Sequence, residues 1–109
     1  MVKVATMIRL KAQPGKAAEV ESFLHDQLAF AQGEPATIAW FALRLDPDTF
    51  AIFDAFPDES GRKDHLSGVI ATELKEITPR LLAEPPSFER IDILAAKLPD
   101  SSDTPDSLG

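Results

Sequence analysis

The chain predicts an α+β fold with a four-stranded antiparallel sheet, and three observations carry the prediction. Four segments have the apolar patterning of strands, helical patterning fills the first and last connections between them, and only four residues join the two middle strands. The order β-α-β-β-α-β is that of two split βαβ units, a ferredoxin-like arrangement whose right-handed crossovers bring the helices to one face of the sheet. At 109 residues with 44% apolar content, the chain suffices for one domain with a single modest core.

In the first strand Val2, Val4, Thr6, Ile8 and Leu10 alternate with Lys3, Ala5, Met7, Arg9 and Lys11, giving one apolar and one mixed face. Pro14-Gly15 ends it. From Lys16 to about Ala31, Val20, Phe23, Leu24, Leu28 and Ala31 recur at helical spacing, and Gly33 and Pro35 close the helix. Thr37 to Leu45 and Phe50 to Phe56 are apolar and aromatic, with Asp46-Pro47-Asp48-Thr49 as the connection of a tight hairpin. Asp58 is placed to cap a short helix over Glu59 to Leu66, and Ser67-Gly68 permits a bend.

Beyond the bend Ile70, Leu74, Ile77 and Leu81 keep helical spacing. Thr78-Pro79 marks either a kink or a new helix start, and Pro85-Pro86 is the stop. Phe88 to Lys97 reads as the last strand, with Ile91 and Ile93 on one side and Phe88, Arg90, Asp92 and Leu94 on the other. The domain is expected over residues 1–97. The Ser-, Asp- and Pro-rich tail of 98–109 has too little apolar surface to order itself.

The net charge of −7, from 18 acidic against 11 basic side chains, argues against nucleic-acid binding, which needs a basic face. Without cysteine the chain can form neither a disulfide nor a thiolate nucleophile. Polar residues interrupt the first strand at every second position, unlike a signal peptide or a membrane span. A soluble, cytoplasmic protein with no membrane association is expected. With both helical regions on one side, the other sheet face would expose Met7, Trp40 or its neighbour Phe41, Phe53 and Ala55. That is too much apolar surface for a monomer, so a homodimer is expected.

His65 has the most chemical potential, because imidazole titrates near neutrality and can take up a proton from a bound ligand. The alternative is a helix cap or a bond to a carboxylate. Asp54 shares its strand face with Ile52 and Phe56 and needs a partner if buried. Either it orients His65 or a substrate hydroxyl, or it pairs with Arg44, Arg90 or a lysine. His25, between Glu21 and Asp26 on the first helix, reads as solvent-facing. No glycine-rich phosphate loop, Gly-x-Ser-x-Gly elbow or histidine pair at metal-ligand spacing is present.

The opening strand ending in Pro-Gly, the hairpin from Trp40 to Asp48, and the spacing of Asp54, Phe56 and His65 together resemble the antibiotic biosynthesis monooxygenase family, over roughly residues 1–97. The resemblance implies a dimeric α+β barrel, formed sheet to sheet, with a small apolar pocket between the sheet and the helices of each subunit. Some members of the family oxidise aromatic polyketides or quinols with dioxygen and no metal, flavin or haem; others degrade haem, and many have no known activity. The implied assignment here is His65 and Asp54 as catalytic residues, Thr6, Ile8, Trp40, Ile52 and Phe56 around a small apolar or aromatic substrate, and no cofactor. The haem-degrading branch uses a strand asparagine, a helix tryptophan and a ligating histidine. Ile8, His65 and a position near Lys75 stand in their places, which speaks against haem degradation. Two functions follow: a cofactor-independent monooxygenase, or a non-catalytic ligand-binding or stress-associated barrel.

Overall fold

The computed structural model describes residues 2–99. From residue 100 onward the expected polar tail lies outside the described residues. The elements run β1 (Val4–Lys11), α1 (Ala17–Gln32), β2 (Ala39–Asp46), β3 (Thr49–Phe56), α2 (Glu59–Leu66), α3 (Val69–Leu81) and β4 (Ser87–Asp92). One antiparallel sheet has the strand order β2-β3-β1-β4, so β3 and β1 are its two central strands. The α+β, ferredoxin-like arrangement stands, with the second crossover divided into α2 and α3.

Turn chemistry explains the boundaries. Gly15 takes the left-handed φ of 81° that the turn after β1 requires. The β2–β3 hairpin turns at Pro47-Asp48, where Asp46 Oδ1 accepts from the Asp48 amide at 3.1 Å. Asp58 caps α2 by accepting from the Gly61 amide at 3.0 Å. Pro79 does not begin a new helix, since α3 runs through it and ends two residues later. So near the C-terminus, a missing N–H removes one bond, and Thr78 Oγ1 turns back to donate to the Leu74 carbonyl at 2.8 Å.

β4 ends at Asp92, short of Lys97, because its partner β1 begins at Val4, opposite Asp92. A single further bond, from the Ile93 amide to the Lys3 carbonyl at 2.9 Å, prolongs the contact.

Register decides which side chains meet. Thr6, Ile8 and Leu10 stand opposite Asp54, Ile52 and Phe50 and face the helices. There Val20 and Leu24 of α1 and Leu74, Ile77 and Leu81 of α3 complete the core. Trp40 pairs with Asp54 and so lies on this helix side, packed against the core. It does not belong to the bare face. Phe41, which pairs with Phe53, does belong to that face. The two rings sit 6.4 Å apart between centroids, and Phe41 is 50% exposed.

Helix α2 is tied to the sheet by Arg62, whose Nη1 donates to the Ala5 carbonyl at 3.0 Å while the rest of the guanidinium pairs with Glu59. The buried charge thereby keeps both a counter-ion and a hydrogen bond.

Candidate functional site: an imidazole between two carboxylates and a separate apolar cleft

Three segments converge on His65. It lies on the inner side of α2, Asp54 comes from the helix-facing side of β3, and Glu34 comes from the connection after α1. His65 Nε2 lies 2.8 Å from Asp54 Oδ2, and Nδ1 lies 2.7 Å from Glu34 Oε1. The contact with Asp54 is close but poorly aligned, for neither Asp54 oxygen has a hydrogen bond of good geometry; we treat it as an ion pair. The Phe56 ring covers the imidazole, with centroids 5.3 Å apart. Asp54 and His65 are buried. The Glu34 side chain retains 23% exposure, so the chain of groups runs from the middle of the sheet to the surface.

The electrostatics follow from this arrangement. Burial alone works against the charged imidazole, but contact with Asp54 and then Glu34 outweighs it, and the His65 pKa is raised. Burial also raises the pKa of Asp54, and the charge of Glu34 adds to that effect while His65 opposes it. Both shifts point the same way, toward the protonated form of each group.

Asp54 therefore has His65 as its partner and none of the cations weighed from sequence. Arg44 pairs with Glu21, and Arg90 with Glu59 at 3.3 Å. His25 is 76% exposed and 3.5 Å from Glu21, as a solvent-facing residue should be. Glu34 is the member that local patterning misses. It stands between Gly33 and Pro35, which end α1, and nothing nearby in sequence signals a contact with a helix beyond two intervening strands.

The residues expected around a substrate lie in the packed interior or against it, and none of them lines either of the two clefts beside α2. Ile8, Ile52 and Phe56 are packed into the interior, Trp40 packs against the same core, and buried Thr6 stands beside Asp54 in the sheet. Large aliphatic and aromatic side chains occupy the centre under the helices.

An apolar cleft of about 420 Å³ lies instead toward the edge strand, between α3, the end of α2 and β4. Leu66, Leu74, Pro79, Pro86 and Phe88 supply its walls, and Lys75 and Thr78 its polar groups. Phe88 is 52% exposed there. His65 is absent from its lining. The imidazole contributes to a second cleft of about 410 Å³, bounded by Gly33 to Thr37, Gly61, Asp64, Gly68 and Val69. Among the described residues no group of three or more His, Asp or Glu is placed to hold a metal ion, and no helix is long and apolar enough to cross a membrane.

A four-stranded antiparallel sheet with one face under helices is a fold shared with solved structures whose names include antibiotic biosynthesis monooxygenase. A solved structure from Nitrosomonas europaea provisionally named as one superposes with a TM-score of 0.76 at 15% identity, covering 84% of this chain and 99% of that one. Another such structure, from Caulobacter crescentus, gives 0.74 at 21% identity, covering 86% and 92%. At these identities the likeness is one of fold. The family is shown by NE2512, a Nitrosomonas europaea protein of unknown function, which is 48% identical over 91% of this chain and 96% of its own, with a TM-score of 0.89. The chain belongs to the family of that protein. No protein-family model and no curated protein matches it.

Proposed function

We propose that the chain is a cofactor-independent monooxygenase acting on a small phenol or quinol held in the cleft between α3 and β4. The observation that carries this reading is a cleft of ring-binding size with apolar walls and one ammonium group, Lys75, among its lining residues. Leu66, Leu74 and Phe88 would exclude water and hold the ring by its faces. Lys75 Nζ would favour the ionised substrate, whose electron-rich ring then reduces dioxygen. One oxygen atom enters the ring and the other leaves as water, and the substrate supplies all the electrons. The names carried by the fold relatives agree with this chemistry.

His65 and Asp54, the acid–base pair expected from sequence, do not line this cleft, so the reading assigns the ionising charge to Lys75. Oxygen uptake with a panel of hydroquinones and anthrones tests the proposal. Native chain and His65→Gln should both consume oxygen, and Lys75→Met should fall by about a hundredfold, the usual loss when one group stabilising a developing anion is removed. Loss in His65→Gln with retention in Lys75→Met would return the chemistry to the imidazole.

A second reading, ligand binding without turnover, is favoured by one specific feature: no imidazole or carboxylate lines the apolar cleft. A rise in Tm with the same aromatics, coupled to buffer-level oxygen uptake in every variant, would establish it.

A further inference from the structure

We infer that residues 33–38 form a proton-operated strap over His65, closed while the imidazole carries both its protons and released when it loses one. The inference is independent of chemistry in the apolar cleft and concerns the other cleft, whose wall contains His65 and Glu34.

The strap fits closely against α2 and its junction with α3. A methyl group added at Gly61 would come 3.1 Å from Ala36 Cβ, and one at Gly68 would come 3.4 Å from Glu34 Oε2. Glycine at these two positions leaves room for the strap to dock. Within it, Thr37 Oγ1 donates to Glu34 Oε1 at 2.8 Å and the Thr37 amide donates to the Glu34 carbonyl at 3.1 Å. The same Glu34 oxygen faces His65 Nδ1.

An imidazolium has two N–H donors and a neutral imidazole one. With both protons the ring serves Glu34 and Asp54 together. With one it must abandon a carboxylate, and burial decides which. Asp54 is wholly enclosed and has no other partner, whereas Glu34 is partly exposed and can be rehydrated. The remaining proton therefore stays on Nε2, toward Asp54. Glu34 is then left facing a lone pair at contact distance, which expels it together with the strap.

Among the described residues no other charge takes over the role. Glu34 from the strap and Asp54 from β3 face the ring. On α2 itself Arg62 is engaged with the Ala5 carbonyl and Glu59, and Lys63 and Asp64 are exposed. Gly68 and Val69, at the start of α3, carry no charge. The raised pKa of His65 places release on the alkaline side of the ordinary histidine range. Release would uncover the Nδ1 lone pair to the cleft, with Asp54 holding the other nitrogen protonated.

Amide hydrogen exchange at Ile38, whose amide donates from the strap to the Ala55 carbonyl of β3 at 2.9 Å, tests the strap across a pH series when expressed as protection factors. In the native chain protection should fall about tenfold or more as His65 deprotonates, the loss expected for one charge-assisted hydrogen bond, while amides of β3 stay protected. Glu34→Gln should abolish this dependence, because the glutamine amide can donate to the neutral Nδ1. Nitrogen NMR should find the alkaline ring protonated at Nε2. Protection of Ile38 that is flat with pH in the native chain, a Glu34→Gln variant that opens as the native chain should, or an alkaline ring protonated at Nδ1 would each overturn the inference.

Discussion

His65 Nε2 lies 2.8 Å from Asp54 Oδ2, and the carboxylate belongs to a central strand with no accessible surface at all. The pair joins α2 to the sheet. Charges in such a place are stable only together, since an unpartnered carboxylate loses its hydration and receives nothing in exchange.

Removing the imidazole should be among the more damaging single changes available. For His65→Ala we expect a loss of about 3–5 kcal/mol, typical when one partner of a buried ion pair is removed. Asp54→Asn, which leaves a neutral amide, should cost roughly 1–3 kcal/mol. The double variant should cost less than the sum of the two. Urea unfolding measures all three, and a loss below about 1 kcal/mol for His65→Ala would show that the pair adds little to stability.

The pH dependence has a definite sign. His65 has a raised pKa in the folded chain, so folding takes up protons as this group titrates. Its stabilisation is fully present below the unfolded histidine value, near 6.5, and is lost as pH rises through the folded value. The raised pKa of Asp54 acts in the same direction, because that carboxyl too binds its proton more tightly when folded. Thermal unfolding from pH 6 upward should show Tm falling for the native chain and nearly flat for the double variant His65→Gln/Asp54→Asn, which removes both titrating groups. A native Tm that rose over this range would contradict the assignment.

The exposed side of the sheet gives a third expectation. Phe41 and Phe53 lie side by side with tilted rings on the face opposite the helices, and Leu45 and Leu94 are also exposed. Sedimentation should return a mass near twice 11.9 kDa, and Phe41→Asp should move it toward the monomer, since a carboxylate cannot be buried across that contact without a partner. A native chain that stays monomeric at micromolar concentration would remove the barrel.

Patterns of short range were the legible ones. Alternation gave β1 and β3, the 3.6-residue repeat gave α1 and α3, and Asp58 and Gly15 mark their turns by chemistry that acts within a few residues. The contact of Asp54 with His65 was half legible, because a carboxylate on an inward strand face calls for a partner but cannot say which one. Glu34 was not legible at all. The position of Trp40 turned on a one-residue question, since a shift of one position in a strand exchanges the two faces.

By itself the sequence determined the class of fold, the order of its elements and the presence of one histidine on a short helix capped by Asp58. Each of these follows from local periodicity or capping. Only the tertiary structure decided that large side chains occupy the centre under the helices, that the apolar cleft lies at the edge by β4, and that Glu34 closes on the imidazole. Those outcomes depend on side-chain volume and on distances between residues far apart in the chain, and a linear pattern does not encode how closely such groups will pack.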